Sequence, residues 1–177
     1  MECNSSLKVT PEIKYTNYFI YGNKRFGINS TIFSQVSSYF RNNFLDLSKN
    51  VDIPLIDHND EEVYILDDKV INIFINICHN KNLPADINIS DALSLNFLAK
   101  RYGVEALSKL TLNIILKNPE SILHNLKSNL DNPKFKSELC EDIISEKLPI
   151  YINNDFLLSL PVSSINRILA KYFQEHG

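Results

Sequence analysis

Residues 26–40 read FGINSTIFSQVSSYF, and the architecture turns on how this stretch is divided. Just before it, Tyr18-Phe19-Ile20-Tyr21 is aromatic and β-branched, and Gly22-Asn23-Lys24 supplies turn chemistry. Arg25-Phe26-Gly27-Ile28 then resumes an extended pattern, so the two runs predict a β-hairpin. Past Ile28 the apolar period changes from two to about 3.6. Asn29 or Ser30 is placed to cap a helix carrying Ile32, Phe33 and Val36, and Tyr39, Phe40 and Phe44 continue the apolar positions beyond it. Ser37-Ser38 interrupts with poor helix formers, which predicts two short helices meeting at an angle.

Working outward, residues 7–13 alternate weakly around Pro11 and fit an edge strand, where a missing N–H is tolerated. Downstream, Ser48-Lys49-Asn50 centres a polar stretch. Val51, Ile53 and Leu55 alternate, and Val63-Tyr64-Ile65-Leu66 reads as a further strand, with residues 57–62 a charged loop between them. Asp67-Asp68 suits a helix N-terminus, and Val70, Ile71, Phe74, Ile75 and Cys78 share one face behind it. Asn80 to Pro84 breaks that helix. Ser90 is the expected N-cap for a helix over 92–102, Gly103 its stop, and another helix covers 104–116. Beyond Pro119 strand signals cease. Leu123, Leu126 and Leu130 fit one helix, and Phe135, Leu139, Ile143 and Ile144 a second. Asn153-Asn154-Asp155 starts a short third, and Pro161 opens a fourth with Ile165, Ile168, Leu169, Tyr172 and Phe173 along one side. The expected class is α+β: a mixed domain over 1–116, then an all-helical extension over 117–177.

The composition excludes several functions. The 177 residues are 44% hydrophobic and 22% charged, ordinary for a globular chain that buries its own core. With 18 basic and 21 acidic side chains the formal charge is -3, against a nucleic-acid partner, which usually meets a basic excess. Cys3, Cys78 and Cys140 cannot all pair with one another and match no zinc spacing, so they read as free thiols of a reducing compartment. The opening MECNSSLKVT lacks the basic head and apolar run of a secretory signal, and no stretch is long and apolar enough for a membrane span. An intracellular protein, cytoplasmic or nuclear and without a membrane partner, is the expectation.

Chemistry-bearing residues are scattered. Gly22, Gly27, Gly103 and Gly177 form no phosphate-cradling fingerprint. His58, His79, His124 and His176 fall on separate elements, with no metal-ligand pair among them. Cys78-His79 is suggestive of nucleophilic catalysis, but neighbours on a helix point about 100° apart. The expectation is Cys78 packed inward and His79 at the surface. The acidic cluster Asp57, Asp60, Glu61, Glu62, Asp67 and Asp68 lacks the spacing and turn glycine of a calcium loop. No catalytic site, cofactor, metal or small-molecule substrate is expected, and an enzyme with an unrecognised site ranks last among the alternatives. A non-catalytic interaction module is the default.

The same 26–40 stretch resembles the BTB/POZ family's signature. Phe26 matches its strand-ending Phe, Ile32 and Phe33 its helix's buried pair, and Ser37, Tyr39 and Phe40 its closing Ser-x-Tyr-Phe, each at a position that the periodicity assigns to a core face. Residues 74–79 are similar to the helix leading into the family's aromatic turn, and residues 92–102, with Val104 and Leu107, to its later helix. Leu160-Pro161-Val162-Ser163-Ser164 is similar to the opening of a BACK-type helix. The resemblance implies a small sheet wrapped by helices, a BACK-like helical extension, and work by protein–protein association. The implied partners are a second copy, as a homodimer, or other proteins in scaffold assembly, with a cullin-type ubiquitin ligase adaptor as the alternative. Three departures stand out. Asn29 stands where the family commonly has a His at the start of the first helix. Thr16 and Ser30 occupy the positions where dimeric members carry a buried acid and a base, and the loop holding residues 45–50 lacks the Glu of cullin-binding members. The candidate contact residues are Ser30, Thr31, Ser34, Gln35 and Ser38 as surface positions of the first helix, with Phe44, Leu45 and Leu47 as a docking edge.

Overall fold

β1 (Asn17–Tyr21) and β2 (Lys24–Ile28) form the expected hairpin, in register from Asn17 opposite Ile28 to Tyr21 opposite Lys24. The computed structural model describes residues 14–43, 51–56, 66–117, 119–129 and 137–176. Gly22 and Asn23 alone make the hairpin loop, and Lys24 belongs to the strand. On its other side β1 pairs in parallel with β3 (Asp52–Pro54), Phe19 opposite Ile53, giving the order β2-β1-β3 among the described residues. A parallel neighbour requires a long crossover, and that crossover contains the two short helices.

These are α1 (Ser30–Val36) and α2 (Ser38–Asn43). Of the two expected caps for α1, Asn29 is the one used: its Oδ1 accepts the Ile32 N–H at 3.1 Å. Ser37 takes an extended backbone (φ -111°, ψ 120°), and its hydroxyl accepts the Phe40 N–H at 3.1 Å. One residue thus ends the first helix and caps the second, the local bonding that makes serine unfavourable inside a helix. The break is docked as well as capped. The Ser37 hydroxyl donates to the Tyr102 carbonyl, and the Ser38 N–H donates to the Gly103 carbonyl at 3.1 Å.

α3 (Asp68–Cys78) starts at the Asp67 N-cap and buries Val70, Ile71, Phe74, Ile75 and Cys78, the anticipated face. α4 (Ile89–Arg101) begins earlier than expected, because Asn88, not Ser90, accepts the Asp91 N–H at 2.8 Å. Ser90 lies in its exposed first turn. Gly103, at φ +61°, turns the chain into α5 (Glu105–Leu116). Leu66 is buried but lies outside any strand, donating its N–H to the Tyr21 hydroxyl at 2.9 Å. The remainder of that expected strand, the edge strand over 7–13, the polar stretch near 48–50 and the loop over 57–62 lie outside the described residues.

The helical part comprises α6 (Pro119–Asn129), α7 (Ser137–Glu146), α8 (Leu148–Tyr151), α9 (Asp155–Leu158) and α10 (Val162–His176). Leu123, Leu126, Ile143, Ile144 and Ile168 are buried as expected, whereas Leu130 and Phe135 lie outside the described residues. α8 has no counterpart in the sequence reading, since four residues are too few for a period. Phe173 is a correction: it is 64% exposed, its ring edge-on to Tyr172 at 5.7 Å. The stripe through Ile165, Ile168, Leu169 and Tyr172 leaves the next residue about 100° off the buried side.

The class is therefore α+β, a small sheet with a predominance of helix. Two buried clusters divide the apolar side chains. One joins the sheet to α1–α5, and the other joins Ala92, Leu93 and Ile115 to the helices beyond 118. α10 is held to α7 by an ion pair: the Arg167 guanidinium spans both oxygens of the buried Glu141 carboxylate, at 2.7 Å from Nη2 to Oε1 and 3.0 Å from Nε to Oε2.

Two outcomes follow for stability. Arg167→Ala strands a buried carboxylate, so urea denaturation is expected to show a loss of about 3 kcal/mol; a loss under roughly 0.5 kcal/mol, the scale of a surface pair, contradicts this packing. A Cβ on Gly103 would lie 1.9 Å from the Ser38 Oγ, while one on Gly22 (φ +55°) meets nothing within 4 Å. Gly103→Ala should therefore be the more destabilising of the two, by about 0.5–1 kcal/mol, since both incur left-handed strain and only at Gly103 must the Ser38 hydroxyl also swing aside, with the Ser38 Cβ still 3.2 Å away.

Candidate functional site

The contact residues anticipated on the first helix divide sharply on inspection of their surroundings. Thr31, Gln35 and Ser38 are exposed and Ser34 is half-buried. Ser30 is a correction: it is buried at the first turn of α1, inside a hydrogen-bonded cluster. The Ser30 N–H donates to Thr16 Oγ1 at 3.0 Å, Thr16 Oγ1 donates to Ser30 Oγ at 3.3 Å, and Asn17 Nδ2 also donates to Ser30 Oγ. Asn17, itself buried, accepts the Val51 N–H through Oδ1 at 2.7 Å. Helix α1, strand β1 and the approach to β3 therefore meet on three neutral side chains. Buried polar groups are tolerated where each is bonded, and an uncharged set avoids the desolvation of an ion pair. Phe44, Leu45 and Leu47 lie outside the described residues, as does the loop on which the cullin-adaptor alternative rests.

His79 is a second correction. It is 8% exposed, where a surface position was expected. Its Nε2 accepts the Asn29 N–H at 3.1 Å, and its ring meets Phe33 edge-on at 5.2 Å and Tyr15 at 6.4 Å. Residue 79 lies just past the end of α3, where the chain departs from helical geometry, so the helical rule that sends neighbours apart no longer places it. Burial, and secondarily the Lys81 charge, hold its pKa below the usual histidine value.

On the outer side, Arg41 closes the end of α1, its Nε donating to the Ser34 carbonyl and Nη2 to the Gln35 carbonyl, each at 3.2 Å. An open hollow of about 260 Å³ lies beside it, lined by Val36, Ser38, Arg41, Gly103, Glu105 and Ala106. It is smaller than the usual small-molecule cleft. The exposed strip from Thr31 to Ser38 is thus polar, fixed at both ends and backed by the aromatic core.

The other sequence candidates are held separately. Burial raises the Cys78 thiol far above its ordinary value and pushes Cys140 up to about 12, so neither is a thiolate near neutrality. With its Nε2 lone pair on the Asn29 amide, His79 makes no base for Cys78. Of the acidic cluster, Asp67 caps α3 and Asp68 pairs with Lys24, while Asp57, Asp60, Glu61 and Glu62 lie outside the described residues, as does His58. Among the described residues no three His, Cys, Asp or Glu groups converge as a metal site, and no helix is long and apolar enough to cross a membrane. The sequence reading missed Asn17 and the inward role of His79. Asn17 opens an otherwise aromatic strand, which is a faint signal, and nothing linear connects it to Ser30 or Val51.

No family model matches the chain. No curated protein matches it either.

Asn17→Leu removes the acceptor of the Val51 N–H and one donor to Ser30 together. The expected loss is about 2 kcal/mol in urea denaturation, against about 1 kcal/mol for Ser30→Ala. Equal and negligible losses would mean the cluster does not hold α1 to the sheet.

Proposed function

We propose that this chain is a non-catalytic protein–protein interaction module of BTB/POZ type, presenting the outer side of α1 and the start of α2 to a second copy or to a scaffold partner. The observation that carries the reading is the packing of the residues behind the resemblance. Phe33, Ser37 and Phe40 are buried, Phe26 packs against the same core, and Ile32 is half-buried. Phe26, Phe33 and Phe40 of the signature go to the core, whereas Tyr39, expected on the core side, is 37% exposed and lies outward with Thr31, Gln35 and Ser38 on a backbone bonded at both ends. A rigid, pre-ordered face suits association, because little conformational entropy is lost on docking. The Thr16–Asn17–Ser30 cluster is a departure from the family's charged dimer seam: Asn17 and Ser30 are buried and bonded within the chain, so the reading rests on the exposed side of α1 and α2 alone. The all-helical extension is read as BACK-like, packed on α4 and α5.

Sedimentation velocity across a wide concentration range tests this. Thr31→Arg with Gln35→Arg places two like charges opposite their symmetry mates, and at least about tenfold weaker self-association is expected, equivalent to about 1.4 kcal/mol. A wild-type chain that stays strictly monomeric at high concentration removes the self-association reading, and unchanged association in the double variant removes this face from it.

A further inference from the structure

We propose that His79 is a proton-operated latch on the start of α1: neutral, it accepts the Asn29 amide, and on protonation it releases that amide and loosens the helix from α3. The geometry carries the argument. Asn29 is a hub, with its Oδ1 capping Ile32 N–H at 3.1 Å, its Nδ2 donating to the Lys14 carbonyl at 2.8 Å, and its own N–H on His79 Nε2 at 3.1 Å. An imidazole that accepts at Nε2 carries its proton on Nδ1. Adding the second proton converts that acceptor into a donor facing a donor, so this bond is not weakened but abolished.

The surroundings oppose the cation. From α1 the ring meets Phe33, and from the segment before β1 it meets Tyr15. From its own side comes Lys81, whose ammonium rests on Asn76 Oδ1 at 2.9 Å. No carboxylate among the described residues offsets these. The terminal carbonyls of α3 favour a cation, but Nε2 is turned towards the Asn29 amide. The folded chain therefore binds this proton less readily than the unfolded chain does. The sign is fixed by that: the contribution is complete above about pH 6.5 and is lost as pH falls through the depressed folded value. The latch concerns how α1 is anchored and stands whether or not α1 touches a second protein.

The test is a pH titration of the full chain, from about pH 8 to about pH 5, following the His79 ring and the Asn29 amide by NMR. The two signals are expected to move together with a midpoint below about 6.5, and exchange protection of the α1 amides to fall at least about tenfold on the acid side. In His79→Gln, whose amide oxygen can keep the acceptor without titrating, the Asn29 signal is expected to stay flat and protection to hold. A His79 ring that titrates while the Asn29 amide stays still overturns the latch. So does acid loss of α1 protection that survives in His79→Gln. The wild-type titration decides the matter even if the variant does not fold.

Discussion

The Phe19 ring is the point against which the rest of this structure is placed. It sits in the central strand, fully buried, with its centroid 5.0 Å from Tyr102, 5.7 Å from Phe33, 5.8 Å from Phe40 and 6.3 Å from Phe74. Those four rings come from α1, α2, α3 and the end of α4, so one side chain on the sheet sets the position of four helical segments. Edge-on and tilted contacts of this kind add about 0.5–1.5 kcal/mol per pair beyond the area they bury. They also fix orientation, which a purely aliphatic centre does less well. Tyr102 ties the cluster back to the sheet, its hydroxyl donating to the Leu55 carbonyl at 2.7 Å, directly past the end of β3.

Around this centre the polar groups do a different kind of work. The apolar cluster decides that α1 and α2 lie on the sheet, but dispersion is tolerant of small slides. Hydrogen bonds are not. Asn29 and the Thr16–Asn17–Ser30 cluster hold one end of α1, and Arg41, Ser37 and the Tyr102–Gly103 turn hold the other. Each of these contributes about 1 kcal/mol net, yet an unmade one costs about 1–3 kcal/mol once buried. The register of the helix pair is specified by that asymmetry rather than by the size of any single bond.

The local elements were legible because their causes are local. Alternating aromatic residues around Gly22 announce the hairpin, and the paired serines announce the helix break, with Ser37 bonding in the way that its weak helical propensity implies. The N-cap of α4 was misplaced because Asn88 and Ser90 are both competent caps two positions apart, and local sequence does not rank them; Asn88 is the one that accepts the Asp91 N–H. Ser30 and His79 were misread for a shared reason. A polar side chain is assigned to the surface unless a partner is known, and their partners lie 14 and 50 positions away. Phe173 failed in the opposite direction, as an apolar residue one step beyond a full stripe. What the linear chain withholds is the pairing of distant polar groups, which is also what organises the candidate face.

The two buried clusters raise the question of how independent the halves of the chain are. α4 answers it in part, because it is buried on both sides: Leu95, Leu98 and Ala99 belong to the cluster that contains the sheet and α1–α3, while Ala92 and Leu93 belong to that of the later helices. α5 contributes likewise, with Leu107 in the first cluster and Ile115 in the second. A helix with two apolar faces gives up the polar surface that an isolated unit would need. Removing the helices beyond 118 would expose Ala92, Leu93 and Ile115 to water, at roughly 25 cal/mol for each Å² uncovered. The extension is therefore a structural participant in holding α4, and through the Tyr102–Gly103 turn at the end of α4 it bears on the placement of α1 and α2 as well.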